Sequence, residues 1–287
     1  MDRGNLAQRI GFAAVAIPLA LGVVWYGGWL LVALVAVVAV LGTRELYGLF
    51  HRTGGRALEA AGLAAAAILP AVVYLLVAHP SPVMAAAWPY GAALWVMLVM
   101  TAALAARAPT QRPLAAAAIT VFGVCYAAAL PAFLIDLRHA GHGERSWAGA
   151  GLVFFPLVVT WVCDTAAMFA GRSIGGPKLA PTVSPGKTRA GAVAGVAAAL
   201  LVAPLFSAWI FPAVGVSASL AALLLIAALL SVVGQVGDLA ESLFKREAGV
   251  KDSSHLIPGH GGVLDRFDSL YFVVPAAATL YRLLGVR

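Results

Sequence analysis

Apolar runs follow one another along the whole chain, separated by short polar stretches. Crossing about 30 Å of hydrocarbon takes roughly 20 apolar residues as a helix. On that measure the pattern predicts nine spans, near 10–27, 28–43, 58–78, 83–106, 114–135, 149–170, 190–212, 216–240 and 267–284. The second is short, and proline or glycine interrupts several. Such breaks are tolerated where neighbouring helices or water satisfy the freed backbone groups. The predicted fold is an all-α integral membrane protein. It is one polytopic domain over 1–287, with N-terminal helices in 1–148 and catalytic helices and loops in 149–287.

Composition sharpens this picture. Of 287 residues, 62% are hydrophobic and only 11% charged, against about half and a quarter in soluble domains. A soluble core cannot absorb so much apolar surface. The first run, with Arg3 and Arg9 ahead of it, resembles a signal peptide. A second run follows almost at once without a convincing cleavage site, so it is read as the first span. Cys125 and Cys163 lie inside apolar runs and outside any metal or redox pattern, which makes them buried apolar residues.

The net charge of +7 is distributed unevenly. With the N-terminus in the cytoplasm, fifteen of the nineteen lysines and arginines fall on the cytoplasmic side, leaving Arg138, Arg145, Arg282 and Arg287 opposite. That matches the positive-inside bias. It places the protein in the inner, cytoplasmic membrane, with no call for a nucleic-acid partner. Two cytoplasmic loops are rich in glycine and cations, 171–191 and 245–266.

Acids beside these loops carry the chemistry. An aspartate at a helix centre costs about 2.5–3.5 kcal/mol on insertion scales, so it faces a partner, an ion or water. Asp164 lies inside the sixth run, Asp238 and Glu241 end the eighth, and Asp265 and Asp268 open the ninth. Each of the last two pairs has a spacing of three, which shares a helix face, and Lys245 extends the face of Asp238 and Glu241. Converging carboxylates suit Mg²⁺, which takes one or two of them and leaves substrate phosphates to complete its shell. The plainer reading makes these acids helix caps paired with Lys245, Arg246 and Arg266. Glycines in 258–262 and 184–188 let backbone N–H groups approach a phosphate. Lys187, Ser184 and Thr188 supply further phosphate contacts, and Lys178, Arg246 and Lys251 add charge. Gly186-Lys187-Thr188 is not a P-loop: Pro181 stands where that motif needs glycine, and no strand precedes it. Gly191 and Gly195 form a small-x-x-x-small pair suited to helix contact.

Ser242 to Asp268 closely resembles the signature of the phosphatidate cytidylyltransferases, also called CDP-diacylglycerol synthases. The matching elements are Ser242 with Lys245-Arg246, Lys251-Asp252, His260-Gly261-Gly262, and Asp265-Arg266 with Asp268. Asp238 falls where that family carries an acid. A second region resembles it through Asp164-Thr165, Gly171-Arg172, Lys178-Leu179, Ser184-Pro185 and Lys187-Thr188. It departs at Arg189-Ala190, where the family has an aromatic residue and an acid. The resemblance covers mainly 160–287 and implies transfer of cytidylyl from CTP to phosphatidate, giving CDP-diacylglycerol and pyrophosphate for phospholipid synthesis. It also implies a cytoplasm-facing polar active-site cavity, homodimers in the bilayer and one or two Mg²⁺ ions, with room for a monovalent cation. On this basis Asp238, Asp265 and Asp268 are expected to hold metal. Lys245, Arg246 and Lys187 should neutralise phosphates. Ser184, His260, Gly261 and Gly262 should shape the phosphate cradle, beside Thr188, Lys178, Lys251, Arg266 and Asp164. A CTP-dependent lipid kinase, a synthase acting on isoprenoid lipids and a transporter remain as alternatives.

Overall fold

The computed structural model describes residues 18–257 and 261–286. After a helical stretch at 18–26 (α1) come α2 (Gly28–Arg52), α3 (Glu59–Ala78), α4 (Pro82–Ala106), α5 (Pro113–His139) and α6 (Trp147–Ser173). A hairpin of β1 (Lys178–Ala180) and β2 (Ser184–Thr188) follows. The chain then continues through α7 (Arg189–Val214), α8 (Leu220–Glu247), the short α9 (Leu264–Phe267) and α10 (Leu270–Leu284). Among the described residues, α2 to α8 are the seven helices long and apolar enough to cross a bilayer.

Nine were expected over the whole chain; seven stand among the described residues. Residues 10–17 of the first expected span lie outside the described residues. The last helix, α10, has only 15 residues. Asp268 and Ser269 nevertheless keep right-handed helical angles, so α9 and α10 run on as one rod. The second run is longer than expected, because α2 continues nine residues past its apolar stretch through Arg44 and Glu45 to Arg52.

The main core is an apolar cluster drawn from α1, α2, α3, α5, α6, α7, α8 and α10, with three smaller clusters beside it. Within it α6 and α7 pack along their length. Gly191 and Gly195 make this possible: a Cβ on Gly195 would come within 2.8 Å of the Cys163 carbonyl oxygen, and one on Gly191 within 2.6 Å of that of Ala167. The small-x-x-x-small expectation therefore describes this contact. Two π-turns, Cys125–Ala129 in α5 and Phe206–Ile210 in α7, stand just before Pro131 and Pro212. Proline lacks the N–H and crowds the carbonyl four residues back, and a widened turn accommodates both faults.

The two-stranded hairpin is the one departure from an all-α chain among the described residues. Lys178 pairs with Thr188 and Ala180 with Ser184, antiparallel. It occupies the loop expected at 171–191 and gives that loop a fixed shape. At the opposite end, fully buried Arg138 donates to the carbonyls of Val24, Trp25 and Gly143, closing the C-terminal end of α1.

Filling the α6–α7 contact should be costly. Gly195→Leu is expected to destabilise the protein by about 1–3 kcal/mol, read as a lower unfolding temperature in detergent. Gly91, with nothing within 4 Å of a Cβ, should tolerate alanine without a shift.

Candidate active site

Lys245 stands near the C-terminal end of α8 with its ammonium between two carboxylates, 3.1 Å from Glu241 and 2.7 Å from Asp265. The three side chains are only 9%, 1% and 5% exposed. Lys245 was expected to meet substrate phosphate; the structure instead gives it two protein partners and shields it. Separating such a buried pair by removing one member typically costs about 3–5 kcal/mol.

Asp265 is held on both oxygens. Oδ1 accepts from Lys245, and Oδ2 accepts from the Ser253 and Gly262 backbone N–H groups and from the Ser253 hydroxyl. Burial alone would raise this carboxyl; the Lys245 ammonium and the N–H groups of Gly262 and Ser253 outweigh it and hold it below the usual carboxylate range. Gly262 was expected to turn its N–H to a phosphate, but that group is given to Asp265. A side chain at Gly262 would collide with Ser253 and Glu45, and Gly261 has φ +81°. Close approach to carboxylates explains both glycines in this structure. His260 lies outside the described residues.

Glu45 completes this arrangement and was missed in the sequence. From α2 its Oε1 accepts from Ser254 Oγ at 2.7 Å and Val263 N at 3.0 Å; its Oε2 accepts from Ser253 Oγ and Leu264 N, both at 2.9 Å. Four donors around one carboxylate pin the glycine-rich loop onto the N-terminal half of the chain. A signal was present: Glu45 is the one acid in 28–50, where a buried charge requires a partner.

A second group of acids is differently placed. Asp238 Oδ2 lies 2.5 Å from Lys187 Nζ, and both side chains are partly exposed, 25% and 28%. Its Oδ1 accepts from Ser242 Oγ at 3.3 Å. Asp268 accepts from the Ser269 N–H through Oδ1. Asp164, exposed on α6, lies within electrostatic reach of both Asp238 and Asp268. Asp238, Asp268 and Asp164 thus repel one another, with Lys187 drawn in against them. The three-residue spacings overstated shared faces: Asp238 meets Lys187 while Glu241 meets Lys245, and Asp265 turns to the loop.

The remaining candidates divide. Thr188 is buried and its hydroxyl accepts from the Gly191 N–H, capping α7; a helix cap replaces the expected phosphate grip. Arg246 donates to the carbonyls of Val183 and Val250, tying the hairpin and the next loop to α8. Ser184 sits partly buried on β2. Lys178, Lys251 and Arg266 are exposed, and none has an ion-pair partner among the described residues.

Among the described residues no three acid, histidine or cysteine side chains form a ready-made metal site. Asp265, expected among the ligands, has both oxygens engaged by protein donors. The mutually repelling Asp238, Asp268 and Asp164 retain the chemistry a hard divalent cation needs.

The bundle and this end of it define a class: a polytopic membrane protein that gathers aspartates and lysines suited to phosphate groups. The chain belongs to the cytidylyltransferase family, whose profile matches residues 7–284. It is similar to the phosphatidate cytidylyltransferase of Brucella suis biovar 1, 51% identical over 140 residues, 46% of each chain. That of Bacillus subtilis is 46% identical over 127 residues, 44% of this chain and 46% of the relative. That of Haemophilus influenzae is 39% identical over 148 residues, 52% and 51%. The alignments span about half the length of each relative.

Two outcomes follow from the Glu45–Asp265 anchorage. Glu45→Ala should release the loop 253–263 to protease and lower turnover at least about tenfold, equal to ~1.4 kcal/mol. The Asp265 contribution is fully present above the unfolded value near ~3.9 and is lost as pH falls through the lower folded value. Wild-type loop should therefore resist pepsin at about pH 4.5, whereas Asp265→Asn is cut there.

Proposed function

We propose that this protein transfers the cytidylyl group of CTP to phosphatidate, giving CDP-diacylglycerol and pyrophosphate for phospholipid synthesis. The observation that carries the reading is the partly exposed Lys187–Asp238 pair set against Asp268 and Asp164. It combines with membership of the cytidylyltransferase family and relatives named for this reaction.

A phosphate oxygen of phosphatidate attacks the α-phosphorus of CTP, and pyrophosphate leaves. The nucleophile is already anionic, so the task is to bring two polyanions together, by positioning and charge. Lys187 stands between Asp238 and the incoming phosphate charge. Lys178 and Lys251 add positive charge nearby, and Arg246 holds the hairpin that carries Lys187. Asp238 and Asp268, with Asp164 beside them, would hold Mg²⁺, as one or two ions. The metal supplies charge neutralisation on phosphate oxygens and the leaving group. Asp265 joins that set only if Lys245 lets go, so in this conformation it holds the loop.

The reading extends to the setting. The protein lies in the cytoplasmic membrane with its site towards the cytoplasm, and acts as a homodimer. It crosses the bilayer nine times, with α1 belonging to the first span and residues 267–284 forming the last. Residues 267–284 rise about 27 Å at 1.5 Å per residue.

The test is a membrane assay with labelled CTP, phosphatidate and Mg²⁺, followed by analysis of the lipid phase. CDP-diacylglycerol should form, vanish on chelation, return with added Mg²⁺, and fall at least about 100-fold (~2.7 kcal/mol) in Asp238→Asn and Asp268→Asn. Label transferred as a single phosphate would mark a lipid kinase and overturn the proposal, as would full activity in both variants.

A further inference from the structure

An elongated apolar cavity opens beside the candidate site. Its volume is about 310 Å³ and its walls come from α1, α2, α5, α6 and the α9–α10 rod. Its lining is aliphatic and aromatic but for one charged residue, Arg266, which stands two residues before Asp268. Among the described residues the Arg266 side chain has no hydrogen bond or ion pair.

The dimensions select an occupant. On the α9–α10 rod the lining runs from Arg266 to Val274, eight residues or about 12 Å of helix rise. Half of a hydrocarbon core is about 15 Å deep. The cavity therefore reaches from a membrane-edge cation at least one leaflet inward, as far as Val24 near the opposite end of the bundle, and its volume holds about ten groups of ~30 Å³. A ligand matching both ends has an anionic head and a long apolar tail. A soluble nucleotide would leave the walls bare, and a neutral lipid would leave Arg266 without a partner.

Resting on the proposed reaction, we infer that this cavity is the acyl-chain site of the phosphatidate substrate. One chain lies along Val38, Leu134 and Leu157, and Arg266 holds the phosphate at the mouth. The position of Arg266 two residues from Asp268 delivers that phosphate to the acidic cluster. The depth of the cavity makes it a selector of acyl length: Leu134 and Val24 line its end farthest from Arg266, next to Arg138, and their size sets how long a chain fits.

The test uses the full-length protein in lipid nanodiscs. Val38→Trp narrows the cavity and should lower kcat/KM at least tenfold for a sixteen-carbon phosphatidate relative to a six-carbon one. Leu134→Ala deepens it and should move the preference towards longer chains. Arg266→Gln should raise the KM for phosphatidate at least fivefold with the KM for CTP unchanged. An identical chain-length profile in wild type, Val38→Trp and Leu134→Ala would overturn the assignment. A second measurement does not depend on turnover: phosphatidate carrying a diazirine on one acyl chain should label 35–38 and 270–274. Labelling confined to other helices overturns the site even if CDP-lipid is made. Labelling of the cavity in a protein that makes no CDP-lipid keeps the lipid site and overturns only the reaction.

Discussion

A lysine ammonium enclosed by two carboxylates sets the geometry of the polar end of this bundle. Lys245 joins α8 to Asp265, Asp265 fixes Ser253, and Ser253 reaches Glu45 on α2. Three helices and a glycine-rich loop are thus linked through buried charge. In a low-dielectric setting each member is costly alone and stable only with the others present. The linkage also explains why Gly262 carries no side chain, since two carboxylates approach its backbone.

The acids fall into two electrostatic kinds. Glu45 and Asp265 are surrounded by donors on both oxygens, which is the pattern of groups that hold a structure in place. Asp238, Asp268 and Asp164 face one another with fewer donors and one partly exposed lysine. Such a surplus of negative charge is unfavourable by itself and favourable towards cations. The hairpin matters because Lys187 projects from β2, and Thr188, by capping α7, fixes where β2 ends.

Most of the helices were legible because hydrocarbon thickness imposes a length on apolar runs. The true end of α2 was not, because hydropathy treats Arg44 and Glu45 as an exit from the membrane, whereas the loop donors let the helix continue. The hairpin was hidden in Ser184–Thr188, whose proline and glycine read as a loop and which is too short for an alternating pattern. Asp238 and Lys187 were identified as site residues from charge and position, and the structure pairs them. The separation of Asp265 from Asp268 was not legible: three residues along a helix are about 60° apart around its axis, enough to face different neighbours. The role of Glu45 depended on a contact more than two hundred residues away, beyond any local pattern.

That distance orders events during synthesis. Glu45 belongs to the first long helix, and its donors at Ser253 to Leu264 are 208 to 219 residues further on. At roughly 5–20 residues per second, the ribosome needs on the order of 10–40 s to deliver them. Until then Glu45 lacks all four of these donors, and a chain ending before Leu264 cannot close the loop fully onto α2.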